Sequence, residues 1–123
     1  MNIEKLHNKL IDYLKEGKFA EGIECFYAED VIASEGGSAP KQGRDQMAAD
    51  EREFLKKVTA YHGIEVLDQL IKDNGDGSGV VFYEAVMKWN QSDKGAVIVS
   101  QVVKEEWKNS KIAQIKFYGN FEG

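Results

Sequence analysis

A chain of 123 residues, 42% apolar and 30% charged, suits one domain over residues 1–123 that buries its core without staples. Its 21 acids against 16 bases give a net charge of −5, which argues against a nucleic-acid binder, whose basic stripe is missing, and against an anionic membrane surface as partner. The lone Cys25 can close no internal disulfide and rules out a metal site built on cysteines. No apolar run approaches the ~20 residues of a membrane span. No basic region followed by an apolar stretch opens the chain, so no signal peptide is expected and cytoplasmic placement is the default.

Ile3, Leu6, Leu10 and Leu14 fall at helical spacing, with His7 and Ile11 beside the same stripe. Asn2 suits the cap of this helix and Gly17 a left-handed stop. A shorter helix follows, with Phe19, Ile23, Phe26 and Tyr27 as its apolar face, and Asp30–Glu35 reads as a short extended segment. The stretch Gly36–Gly43, holding the only proline, Pro40, is a loop. A third helix is predicted over about Arg44–Val58, with Asp45 in its first turn and Met47, Phe54, Leu55 and Val58 on its buried face.

Tyr61–Lys72 reads as a strand, with Ile64, Val66 and Leu70 on one side, Leu67 and Ile71 on the other, and Gly63 as a bulge or bend. Three long strands close the chain, Gly79–Trp89, Ala96–Trp107 and Lys111–Gly119, joined by short polar turns. Helices grouped before strands predict an α+β fold with an antiparallel sheet. A long sheet added after its helices can wrap them and leave a cavity.

The order of these segments resembles the nuclear transport factor 2-like superfamily, and within it the SnoaL-like group. The resemblance rests on Glu16–Phe19 followed by Phe26–Val31, on Gly43–Ala48, on Glu106–Ile112 and on Phe117–Tyr118. It implies a cystatin-like cone in which a curved antiparallel sheet wraps three amino-terminal helices around an apolar cavity, and a homodimer formed through the sheet. Members of that superfamily include ketosteroid isomerase, polyketide cyclases, limonene epoxide hydrolase, scytalone dehydratase and proteins without catalysis, so the fold implies a pocket and not a reaction.

Aligned on Phe26–Asp30, Glu35 falls where the isomerase keeps its general base; the alternative is a loop residue in water. A carboxylate at the mouth of an apolar cavity has its charged form destabilised, which suits proton transfer at carbon. The isomerase's oxyanion-hole positions align with Leu10 and Val103, which donate nothing, so steroid isomerisation by that mechanism is not expected. Tyr13 lies close enough to Leu10 in sequence to reach the cavity in a shifted helix register.

Val99, Gln101, Val103, Glu105 and Trp107 share one face of the penultimate strand. Together with Tyr13, Phe54, Ile115 and Phe117, the pocket-lining set expected from this face is Gln101, Val103, Glu105 and Trp107. A one-residue slip would exchange Glu105 for Glu106, and surface pairing of either acid with Lys88 or Lys116 is the alternative. Asp50 and Glu51 interrupt the third helix's stripe and fit either its edge or the cavity.

His7 and His62 are too far apart for a metal spacing, and Cys25 reads as an inert thiol. Asp73–Gly79 fails as a calcium loop, since Ala85 stands where a bidentate glutamate is required, and it reads as a Gly-rich turn. No metal and no cofactor are expected. Val80, Phe82, Val86, Ile98 and Val102 alternate with the cavity face and are expected to be covered by a second copy of the chain. Two function classes follow: a pocket protein for an apolar small molecule, with or without isomerase, cyclase or hydrolase chemistry, and a non-catalytic dimeric interaction module.

Overall fold

In the computed structural model, residues 2–36 and 38–122 are described; Met1, Gly37 and Gly123, on which parts of the amino-terminal, loop and domain expectations fall, lie outside them. Helix α1 spans Ile3–Lys15. The Asn2 side chain accepts from the backbone N–H of Glu4 at 2.8 Å and of Lys5 at 3.3 Å, satisfying two amides that the first turn leaves open. Gly17, at φ +78°, takes the left-handed conformation beyond the helix end. Helix α2 spans Phe19–Phe26 and α3 spans Arg44–Leu55. The third helix stops short of the expected Val58 because Val58 already pairs with Gln91 in the sheet.

The strands are β1 (Tyr27–Glu35), β2 (Lys41–Gln42), β3 (Val58–Asp73), β4 (Gly79–Gln91), β5 (Gly95–Lys108) and β6 (Lys111–Glu122). They form one sheet in the order β2-β1-β6-β5-β4-β3. Strands β3 to β6 are a meander of hairpins, the last closed by Asn109 and Ser110 at φ 51° and 63°, the left-handed pair that a two-residue hairpin turn requires. The sheet is mixed and not antiparallel throughout, since β1 runs parallel to β6. That pairing needs a long crossover, and α3 with the whole meander supplies it.

Three register shifts bend β3, between Val58 and Ala60, between Tyr61 and Ile64 and between Val66 and Asp68. Gly63, at φ +102°, occupies the second. The third reverses the alternation beyond it. Ile71 therefore joins Ile64 and Val66 against the core, while Leu70 is turned out and 72% exposed, opposite to its expected side. Asp73–Gly79 is a turn, pinned by Gly75 N–H donating to Asp73 Oδ1 at 2.8 Å and Ser78 N–H to Asp76 Oδ1 at 3.0 Å.

In β5, Val97, Val99, Gln101, Val103, Glu105 and Trp107 are buried, while Ile98, Ser100 and Val102 between them are exposed. Glu105 therefore faces inward and Glu106 outward. The inner face of the sheet packs on α1 and α2 through Ile3, Leu10, Ile11 and Phe26, joined by Val31, Val81, Trp107 and Ile112. No helix among the described residues is long and apolar enough to cross a membrane.

A polar cluster sits inside this core. His7 Nδ1 lies 2.8 Å from Glu105 Oε1, and the indole N–H of Trp107 donates to the same oxygen at 3.0 Å. His7 and Glu105 are both fully buried. His7 Nε2 and Glu105 Oε2 have no partner among the described residues. Removing one member of such a pair strands the other, whereas replacing both does not. Glu105→Ala is expected to cost about 3–5 kcal/mol in urea unfolding. The doubly apolar variant His7→Leu/Glu105→Leu should be more stable than Glu105→Leu alone. A sum of single effects equal to the double would show that the two side chains are not coupled.

Candidate functional site

The other end of the interior is open. A cavity of about 910 Å³ lies between α3, the loop after β1, the start of β3 and the inner faces of β4 to β6. It is in the size range of small-molecule sites. Its wall is mainly apolar and aromatic: Phe19, Phe54, Tyr83, Met87, Trp89 and Phe117 all contribute. Phe54 meets the Trp89 ring edge-on at 5.9 Å, and Phe19 meets Tyr61 edge-on at 5.2 Å. The Tyr61 hydroxyl donates to the Leu14 carbonyl at 2.7 Å, tying β3 to the end of α1. Burial pushes this hydroxyl up to about 12.

Helix α3 supplies the acids. Met47, Asp50, Glu51 and Phe54 all line the cavity, a spacing that places them on one helical face. Gln46 Nε2 donates to Asp50 Oδ1 at 2.8 Å, leaving Asp50 exposed at the rim. Glu51 is half-buried. Burial holds its carboxyl above the usual carboxylate range, the charge of Glu35 pushes it the same way, and Lys41 opposes them.

Glu35 ends β1, where it pairs with Phe117 of β6. It lines the cavity at its mouth and is exposed to solvent. Gln101 reaches the wall from β5 and is only 8% exposed. Tyr27 and Tyr83 also line it. Burial, with the charge of Glu105 adding to it, pushes both phenols far above their ordinary range, so each stays a neutral hydroxyl.

Of the residues singled out from the sequence, Glu35, Phe54, Gln101, Ile115 and Phe117 line the cavity. Tyr13, Val103, Glu105 and Trp107 do not. Val103, Glu105 and Trp107 are on the expected face of β5 but nearer its end, where the helices fill the space, and Glu105 is taken up by His7. Tyr13 turns to α2, edge-on to Phe26 at 5.4 Å with its hydroxyl 3.8 Å from Cys25 Sγ. His7 has Glu105 as its partner, and His62 lies 3.3 Å from Asn90 Oδ1. Among the described residues no group of histidine, cysteine or carboxylate side chains could hold a metal ion. Glu51 is the residue whose environment sequence reasoning underweighted.

No family model and no curated protein matches the chain. Solved structures do. The chain is similar to a candidate SnoaL-like polyketide cyclase [carbohydrate phosphatase] from Mesorhizobium loti, with 20% identity and a TM-score of 0.69 over 96% of this chain and 99% of that one. It is similar to an LEH-like epoxide hydrolase from M. tuberculosis, with 16% identity and a TM-score of 0.66 over 90% of this chain and 77% of that one. It is also similar to an NTF-2-like protein of unknown function from Burkholderia xenovorans, with 19% identity and a TM-score of 0.71 over 98% of this chain and 86% of that one. At these identities the likeness is one of fold: the chain has the nuclear transport factor 2-like fold, in the form shared with SnoaL-like proteins.

Glu35 and Glu51 both line the cavity, and the charge of Glu35 helps to raise the Glu51 carboxyl. Glu35→Gln removes a like charge and is expected to lower the Glu51 pKa, read from the glutamate carboxyl carbons by NMR. A raised folded-state pKa contributes stability below the unfolded pKa that is lost as pH rises through the folded one. Glu51→Gln should therefore raise Tm most above the Glu51 pKa, with the gain shrinking as pH falls through it.

Proposed function

We propose that this protein, as a single SnoaL-like domain, binds an apolar small molecule in the cavity and moves a proton on it, in an isomerase, cyclase or hydrolase reaction. One observation carries the reading: an ionisable carboxyl, Glu51, is held above its ordinary range within a cavity wall that is otherwise mostly apolar and aromatic. A carboxyl so placed titrates closer to neutrality, where it can give up and regain a proton at useful rates. Glu35 stands at the mouth as the second carboxylate. Its charge pushes the Glu51 carboxyl the same way that burial does.

Neutral Tyr27 and Tyr83 hydroxyls and the Gln101 amide supply donors toward a developing negative charge, in place of the missing donors at Leu10 and Val103. The cyclase and epoxide hydrolase named among the structural neighbours make chemistry of this kind on small molecules a reasonable range.

The assembly proposed with this reading is a homodimer through the outer face of the sheet. Phe82, Ile98 and Val102 stand exposed there at 40%, 44% and 38%, with Val80 and Val86 half-buried beside them. They alternate across the ladder with Glu84, Lys88, Ser100 and Lys104, and apolar side chains this exposed on adjacent strands suit a face that a second copy covers.

Titration with a neutral apolar fluorophore such as N-phenyl-1-naphthylamine is expected to saturate with one probe per chain and to quench Trp89. Where a substrate turns over, Glu51→Gln should lower kcat by about 10²–10⁴, the usual weight of a general acid or base. Retained turnover in that variant would remove Glu51 from the mechanism. Light scattering should give twice the 13.8 kDa chain mass, and Ile98→Lys should return the protein to that mass. A wild-type mass of one chain at every concentration would dismiss the dimer.

A further inference from the structure

The cavity wall is unbalanced in charge. Glu16, Glu35, Asp50 and Glu51 line it, against Lys41 and Lys94. The nearest basic contact of Glu16 is Lys18, at 3.0 Å, and Asp50 accepts only from an uncharged amide. Neither Glu35 nor Glu51 makes an ion pair with Lys41 within 4 Å among the described residues. Two carboxylates thus line one aromatic cavity, and Lys41, though close enough to act on Glu51, forms an ion pair with neither among the described residues. Aromatic faces carry negative charge of their own, and Tyr83, Trp89, Phe54 and Phe117 present rings to the same space.

A second observation is independent of the acids. Gln101, more than nine-tenths buried, lines the inner wall, and its side-chain amide has no hydrogen-bond partner among the described residues. Among the described residues, the polar atoms sealed from solvent without a partner are His7 Nε2 and Glu105 Oε2, so the Gln101 amide instead opens on the cavity, where a ligand can bring it a polar atom.

We infer that the ligand of this cavity is an amphipathic cation: a protonated amine at the carboxylates, an apolar aromatic or alicyclic body against the rings, and a hydrogen-bonding group that meets Gln101. This rests on the reading of the cavity as a small-molecule site and adds the ligand's charge class to it. A neutral ligand leaves the two carboxylates repelling each other across an apolar wall. An anion makes that worse. A single positive charge relieves it, and binding then favours the ionised form of Glu51.

The pH dependence follows from that linkage. The charged groups facing Glu51 from the packed elements are Glu35 on β1 and Lys41 on β2, with Asp50 beside it on α3. Protonating Glu51 removes half of the carboxylate pair, so cation affinity falls as pH drops through its titration. Binding at a pH below that titration releases a proton.

Tryptamine, tryptophol and indole-3-acetate share an indole, whose N–H can meet Gln101, and differ in a head group that is cationic, neutral or anionic. Isothermal titration calorimetry of the full chain with each, in two buffers of different ionisation enthalpy, tests the inference. The amine is expected to bind at least about tenfold more tightly than the alcohol. The acid should bind more weakly than both, and proton release should accompany the amine alone. Glu51→Gln should cut the amine-to-alcohol affinity ratio several-fold and abolish the proton release, and circular dichroism checks that the variant is folded. An alcohol that binds as tightly as the amine would overturn the cation preference and leave the small-molecule reading standing. An acid that binds most tightly would do the same. No binding by any of the three, together with no binding of the neutral fluorophore, would overturn both.

Discussion

The two-residue period of β5 is the constraint on which both halves of the interior depend. One face of this strand carries Val97 and Val99 to the cavity, Gln101 to its inner wall, and Val103, Glu105 and Trp107 to the packed end. A slip of one residue would turn all six to solvent and bring Lys104 and Glu106 inward. The His7–Glu105 contact acts as a lock on that register. A carboxylate at this depth is tolerated only opposite its partner, so any displaced pairing strands a buried charge. The polar cluster thus contributes to uniqueness of the fold as well as to its stability.

The same strand face explains why two glutamates in one interior have opposite characters. Glu105 has an imidazole and an indole N–H within hydrogen-bond distance, and helices close over it. Glu51 has a second carboxylate acting on it and a lysine that only partly offsets the repulsion. One acid is completed by the chain itself. The other is left incomplete at an open volume. That contrast divides the interior into a structural end and a chemical end along the length of a single strand, with Tyr27 and Tyr83 lining the cavity while feeling the charge of Glu105.

Local chemistry made much of this architecture legible. Asn2 and Gly17 mark α1 by capping rules, and Gly63 marks one bend of β3 by its freedom at positive φ. Alternation assigned the faces of β4 and β5. What stayed hidden depends on distance along the chain or along the strand. Period two names a face but not a depth, so Glu105 and Trp107 were placed at the cavity when they lie beyond it. A further bulge in β3 exchanged Leu70 and Ile71, and nothing at Val66–Asp68 signals it, since no glycine stands there. The stripe Met47, Asp50, Glu51, Phe54 has helical spacing, but two acids within it read as an edge until the cavity is seen. The partner of His7 is 98 residues away, beyond any local pattern. The parallel pairing of β1 with β6 is equally non-local.

That last pairing orders events in time. Tyr27 lies against Ile112 and Glu35 against Phe117, so the amino-terminal strand has no neighbour on that side until the carboxy-terminal strand exists. The hairpins of β3 to β5 join neighbours in sequence, whereas β1 and β6 join the two ends of the meander and its helices, the least local pairing of the sheet. Only the last dozen or so residues close the sheet and bring Glu35 to the mouth of the cavity. A chain that loses β6, by truncation or early termination, therefore keeps most of its sequence yet presents unpaired strand edges and no assembled site. Such a fragment is a substrate for chaperones and proteases rather than a weaker version of the protein.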